Sequence, residues 1–192
     1  MENYISGVKK RSNWRYLKGL LIRWYNNLKY EYIRRKIRST GAIVGNSTVL
    51  NKNISGGGNL RIGDHTSIQT CSIDTRSPVN VGNHVIIGQG VKIITTSHNI
   101  DSTEWEHKYY GITIDDYAWI ATDTLILPSC RSIGYGAVIA AGSVVVKDVP
   151  SMAVVSGNPA TIIKTRKCVH SDLCVESLLG GDYLAYKEAR KK

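Results

Sequence analysis

From Val44 onward an aliphatic residue returns at every sixth position, and few architectures tolerate that period. Val44 and Leu50, then Ile62 and Ile68, then Val81, Ile87 and Ile93, then Ile114, Ile120 and Ile126, then Ile133, Ile139 and Val145 open successive hexads, and only Gly56 and Asp74 break the rule. Four residues into the hexads stands a small or branched residue: Thr48, Thr66, Ser72, Val85, Val91, Ser97, Ala118, Thr124, Cys130, Ala137 and Ser143. Pairs such as Gly45-Asn46, Gly63-Asp64 and Gly82-Asn83 lie between, where a turn would need permissive backbone angles. A hexapeptide period is the mark of a parallel β-helix. Three hexads make one coil, and the steps of 18 or 19 residues from Val44 to Ile62, Ile62 to Val81 and Ile114 to Ile133 fit one coil each. The expected fold is all-β: a parallel β-helix of about five coils over residues 41–160, its aliphatic side chains stacked inside. Such a core needs no cofactor to stand, and Cys130, at an inward small position, reads as core filler rather than as a nucleophile.

The charge lies outside this repeat. Residues 1–40 hold 11 Lys/Arg against 2 acids, 41–160 hold 7 against 9, and the tail 161–192 holds 7 against 4. Within 1–40, Leu17, Leu20, Leu21, Trp24, Leu28 and Tyr32 recur at helical spacing among Lys18, Arg23, Lys29, Arg34, Arg35, Lys36 and Arg38. This predicts one basic amphipathic helix, ahead of the β-helix and a short helical C-terminal tail. The first expectation is that its apolar stripe packs on the core or on a sister subunit. The alternative is peripheral contact with an anionic membrane surface, and nucleic acid is not expected because no reader motif accompanies the charge. The longest uncharged apolar run near the start, Gly19 to Ile22, is too short for a membrane span or a signal segment. Cys71, Cys130, Cys168 and Cys174 form neither a CxxC pair nor a disulfide scaffold, so a reducing, cytoplasmic location without a zinc site is expected.

One interruption stands out. Ile93 and Ile114 are 21 residues apart where one hexad would separate them by 6, so residues 99–111 are extruded. A polar, aromatic loop on a rigid prism makes a natural substrate wall, with Trp105 as the aromatic it offers an acceptor. His98 stands at its mouth, where it can meet solvent, substrate and a neighbouring subunit. His65 and His84 hold turn positions of ordinary hexads and are expected to be solvated, while His107, inside the loop, is open to either reading.

The hexads, the Trp119-Ile120-Ala121 step, the run IAAGSVVVKD from Ile139 to Asp148 and the closing VSGNPA from Val155 to Ala160 resemble the left-handed β-helix (hexapeptide-repeat) acyltransferases. Within them the resemblance is to galactoside, maltose and capsule or exopolysaccharide O-acetyltransferases. It implies left-handed coiling, an exception to the usual crossover hand, a homotrimer, and acetyl-CoA as co-substrate in the groove between two prisms. It further implies transfer to a sugar hydroxyl, in surface polysaccharide synthesis. That reaction needs a base for the hydroxyl proton, and neutral imidazole serves, so His98 is the catalytic residue expected. By the same resemblance Trp119, Thr122, Ala141, Val146 and Lys147 lie along the donor, and Lys164 meets phosphate. Relatives often carry an Arg where Thr161 stands, which leaves Lys164, Arg166 and Lys167 to share the phosphate contacts. Asp74 looks like the acidic residue that binds acceptor hydroxyls, with a turn-capping aspartate as the competing reading. No histidine pair five residues apart exists, and no Gly-x-Ser-x-Gly elbow, so neither a metal nor a serine nucleophile is expected. N-acetylation of an amino sugar or of an antibiotic, and a non-catalytic scaffold, are the other readings.

Overall fold

In the computed structural model, residues 13–180 and Tyr183 are described; the rest of the expected basic segment and tail lie outside the described residues. Short parallel strands stack on three faces. The first face carries β1 (Ile43–Val44), β3 (Leu60–Ile62), β6 (Val79–Val81), β11 (Ile112–Ile114) and β14 (Ser132–Ile133). The second carries β2 (Val49–Leu50), β4 (Ser67–Ile68), β7 (Ile86–Ile87), β12 (Trp119–Ile120), β15 (Val138–Ile139) and β17 (Ala153–Gly157). The third carries β5 (Ser72–Ile73), β8 (Lys92–Ile93), β13 (Leu125–Ile126) and β16 (Val144–Val145). About five coils and part of a sixth result. The register stacks Ile62, Val81, Ile114 and Ile133 in one column, Leu50, Ile68, Ile87, Ile120 and Ile139 in a second, and Ile73, Ile93, Ile126 and Val145 in the third. Every aliphatic residue that opens a hexad is buried, and so is Cys130, whose thiol burial pushes up to about 12.

The departures are local. Where Asp74 breaks the period, Ile73 supplies the plug one residue early and Thr70 turns inward, its hydroxyl donating to the Val91 carbonyl at 2.6 Å. Ser72 and Ser97, expected inside, are exposed. The glycines before the corners are required by close approach rather than by backbone angle. A Cβ on Gly63 would lie 2.7 Å from the Gly82 carbonyl carbon of the next coil. The left-handed conformation falls instead on Ser47, His65, His84 and Tyr117, one above another at the corner that follows.

Both ends are closed, as an open sheet edge demands. Helix α1 (Asn13–Arg38), free of proline, ends where Gly41 adopts φ 95°, and Arg35, Lys36 and Arg38 complement the dipole of its last turn. That last stretch caps the first coil: Ile33 and Ile37 join the core, Arg34 donates to the Thr48 carbonyl at 3.0 Å, and Arg38 to Val44 at 2.9 Å. At the other end β17 turns back as β18 (Ala160–Thr165), an antiparallel partner that carries the sheet past residue 160. Helix α2 (Leu173–Gly180) then returns to α1, burying Val175 and Leu179 against Val49 and joining Glu176 to Arg23 at 2.6 Å. The stripe of α1 does not pack on the core of its own chain, the first of the two partners expected for it. Gly19, Ile33, Arg34 and Ile37 face the body, whereas Leu17, Leu20, Leu21, Trp24, Leu28 and Tyr32 are exposed.

Candidate active site

The extruded segment is a β-hairpin. β9 (Thr96–His98) pairs antiparallel with β10 (His107–Tyr109), so that His98 faces His107 and Thr96 faces Tyr109. Cross-strand partners share a face, and the two imidazole centroids lie 4.2 Å apart. The mouth of the loop is held by Asn99 and Glu106: the Asn99 amide donates to the Glu106 carbonyl at 2.9 Å, and its side chain to the carboxylate at 2.5 Å. Hydrogen bonds from Ser102 and Asn99 draw the Glu106 carboxyl down to about 2.

Trp105 holds φ 49°, a conformation uncommon outside glycine. The turn it makes aims both its carbonyl and its indole at His98. The carbonyl lies 2.7 Å from His98 Nδ1, and the indole stacks on the imidazole at 5.0 Å and 16°. A carbonyl oxygen only accepts, so Nδ1 carries the hydrogen and Nε2 presents its lone pair. Sequence reasoning had no signal for this contact, which depends on the turn geometry.

Asp74 lies beneath the hairpin with its side chain largely covered. Oδ1 accepts from the Arg76 amide at 3.1 Å and its Nε at 2.9 Å; Oδ2 accepts from the Arg76 guanidinium at 3.1 Å, the Thr95 amide at 3.2 Å and the Thr96 hydroxyl at 2.8 Å. Burial raises the proton affinity of this carboxyl, but the Arg76 and Thr96 bonds together overcome it and hold the group well below the ordinary carboxylate range. Five donor atoms meet its oxygens, an arrangement that fits the turn-capping reading: Asp74 fastens the start of β9 two residues before His98.

The residues expected along the donor divide between two depressions. Trp119, Thr122, Ala141 and Lys164 line a cavity of about 860 Å³ on the second face, walled by Ala121, Val138, Ile139, Ala140 and Val154 and rimmed by Lys167. Val146 and Lys147 line a separate groove of about 350 Å³ with Pro159 and Thr161. Small aliphatic walls with cations at the rim suit a slender, mostly apolar arm that ends in phosphate. Arg166, expected to share the phosphate, also lines the larger cavity, and its guanidinium donates to the carbonyls of Tyr117 at 3.2 Å and Gly136 at 3.0 Å. His98 lines neither depression.

His65 and His84 hold their turn positions, His65 partly exposed and His84 largely covered. Their rings stack at 5.1 Å, Tyr117 continues the stack at 4.8 Å, and His65 Nδ1 meets Glu176 of α2 at 2.9 Å. His170, which sequence reasoning passed over, places Nε2 2.7 Å from the His84 carbonyl. Among the described residues no group of three or more His, Cys, Asp or Glu is placed to hold a metal ion.

A stack of hexapeptide coils with one long insert and two edge caps defines a class, the parallel β-solenoids. No protein-family model matches the chain. WcaF of Escherichia coli, named for acetyl transfer in colanic acid biosynthesis, is 28% identical over 156 residues, spanning 80% of this chain and 85% of the relative. A galactoside O-acetyltransferase from Lactococcus lactis is 36% identical over 98 residues, spanning 48% of this chain and 44% of its own length. A hexapeptide-repeat acetyltransferase from Vibrio cholerae, solved with acetyl coenzyme A, superposes with a TM-score of 0.63 at 29% identity, covering 80% of this chain and 88% of that one. Over four fifths of its length the chain is similar to hexapeptide-repeat acetyltransferases.

Proposed function

We propose that this protein is an acetyl-CoA-dependent O-acetyltransferase that acts on a sugar hydroxyl in surface polysaccharide synthesis, in the cytoplasm, with His98 as general base. The observation that carries the reading is the Nδ1 bond to the Trp105 carbonyl, because it leaves Nε2 unprotonated on a hairpin that coil stacking does not need. Bound acetyl-CoA would supply a thioester carbonyl open to attack and a thiolate able to leave. Nε2 takes the acceptor hydroxyl proton as the oxygen attacks, and the imidazolium returns that proton to the departing sulfur. Throughout, the Trp105 carbonyl holds Nδ1–H in place, while the indole covers one ring face and serves as a platform for the sugar. Trp119, Thr122 and Ala141 would line the pantetheine arm, with Lys164 at phosphate and Val146 and Lys147 at the nucleotide end.

Because His98 and the donor cavity are separate within one chain, the complete site is assigned to a homotrimer in which the hairpin of one subunit meets the cavity of the next. The names of WcaF and the galactoside O-acetyltransferase support a sugar acceptor. A thiol-release assay with acetyl-CoA across a panel of neutral and amino sugars tests the reading. Release with hydroxyl acceptors, lowered about 100- to 10,000-fold in His98→Ala, is expected. Release with amino sugars alone would replace it by N-acetylation, and release with none by a scaffold.

A further inference from the structure

Most of the surface of this protein is ordinary, but α1 turns its apolar face away from the body. Trp14, Leu17, Leu21, Trp24 and Leu28 follow one another at alternating steps of three and four, and Tyr25 and Tyr32 flank them. All are exposed, Trp14 by 74% and Tyr32 by 71%. At 1.5 Å per residue the strip is about 27 Å long. Buried Gly19, Ile33 and Ile37 occupy the opposite side of the helix, so the orientation is fixed by packing on the first coil and on α2.

The charge beside this strip has one sign. Lys18, Lys29 and Lys36 recur after 11 and 7 residues, close to three and two whole turns, and so form one line along the flank. Exposed Arg15 and Arg35 add to the positive charge of the helix. Glu31, the one acid of α1, is already bonded to Arg34 and Arg35. Two copies of this face laid together would bring cations against cations with no free carboxylate between them, which disfavours a coiled-coil pairing with a second copy. An anionic lipid surface meets both features, since it takes tryptophan, tyrosine and leucine at headgroup depth and attracts lysine beside them. No helix among the described residues is long and apolar enough to cross a membrane, so the contact is one of lying on the surface.

We propose that the outward face of α1 docks this protein on anionic phospholipid. The inference does not depend on the acceptor or on the reaction. The test is sedimentation of the full chain with phosphatidylcholine vesicles carrying about 30% phosphatidylserine, against phosphatidylcholine alone. Two variants accompany it, Leu17→Ser/Leu21→Ser/Trp24→Ser and Lys18→Gln/Lys29→Gln/Lys36→Gln, each with a thermal melt and a light-scattering mass. Binding to the anionic vesicles only is expected, lowered about 100-fold in the lysine variant, lost in the apolar variant, and weakened by about 0.5 M salt. Melting and mass should not move, because these side chains touch solvent. Equal binding to both vesicles, or none to either, would overturn the proposal. A smaller mass in the apolar variant would also overturn it, by assigning the face to a second copy of the chain.

Discussion

Mixing two inactive variants should restore activity to a fraction that the geometry sets. His98→Ala removes the proposed base but leaves the donor cavity intact, whereas Ala141→Trp plugs the cavity of about 860 Å³ and leaves the hairpin alone. If each site is made from the hairpin of one subunit and the cavity of its neighbour, a homotrimer of either variant has no working site. A trimer with two subunits of one kind and one of the other has a single interface at which both halves are wild type. Random assembly from equal amounts makes about three quarters of trimers mixed, and one site in three works in each of these. The unfractionated mixture should therefore recover about one quarter of wild-type turnover, and isolated mixed trimers about one third. The assay is thiol release after the two proteins are co-expressed with different tags and the mixed trimers are isolated. Recovery that stays at the background of the separate variants, in trimers shown to be mixed, would refute the shared site and place base and donor in one chain.

Three further outcomes follow from particular contacts. Gly63→Ala should destabilise the solenoid by about 1–3 kcal/mol, since its Cβ meets backbone of the next coil, while Gly58→Ala, with nothing within 4 Å, should leave the urea midpoint unchanged. Asp74→Asn should lower turnover more than it raises the acceptor KM, by loosening β9 ahead of His98; a pure KM effect would return Asp74 to acceptor binding. Burial lowers the pKa of His170, so its share of stability is complete above the unfolded imidazole value of about 6.5 and is lost as pH falls from there through the folded value. Melting temperature should drop over that acidic window, and His170→Gln should flatten the drop. An unchanged slope would remove His170 from the account.

The solenoid was legible because each coil asks the same thing of every sixth residue, so that one plug such as Ile120 is vouched for by Ile87 above and Ile139 below. Where the period slips, that logic misplaces residues by one: the hexad frame opens on Asp74, and Ile73 takes the plug position. The outward face of α1 was hidden for a different reason. An amphipathic pattern gives the width of an apolar stripe but not its direction, and here Arg34, not leucine, goes inward to the Thr48 carbonyl. The corner stack of His65, His84 and Tyr117 escaped because its partner, Glu176, lies more than 50 residues further along the chain. His98 could be singled out from its place at the interruption, but the tautomer could not, since it depends on the backbone angle of Trp105.

The hairpin leaves and rejoins the solenoid without disturbing its register: Ile93 still stacks on Ile126, and Ile114 on Val81, as if nothing had been inserted between Ile93 and Ile114. The scaffold thus counts coils and is indifferent to the length of what hangs between them. A segment under that relaxed constraint can be exchanged for another of different size and sequence without renegotiating the core. If the hairpin walls the acceptor site as proposed, its selectivity is open to evolution, or to grafting from a relative, through a single excised stretch of chain.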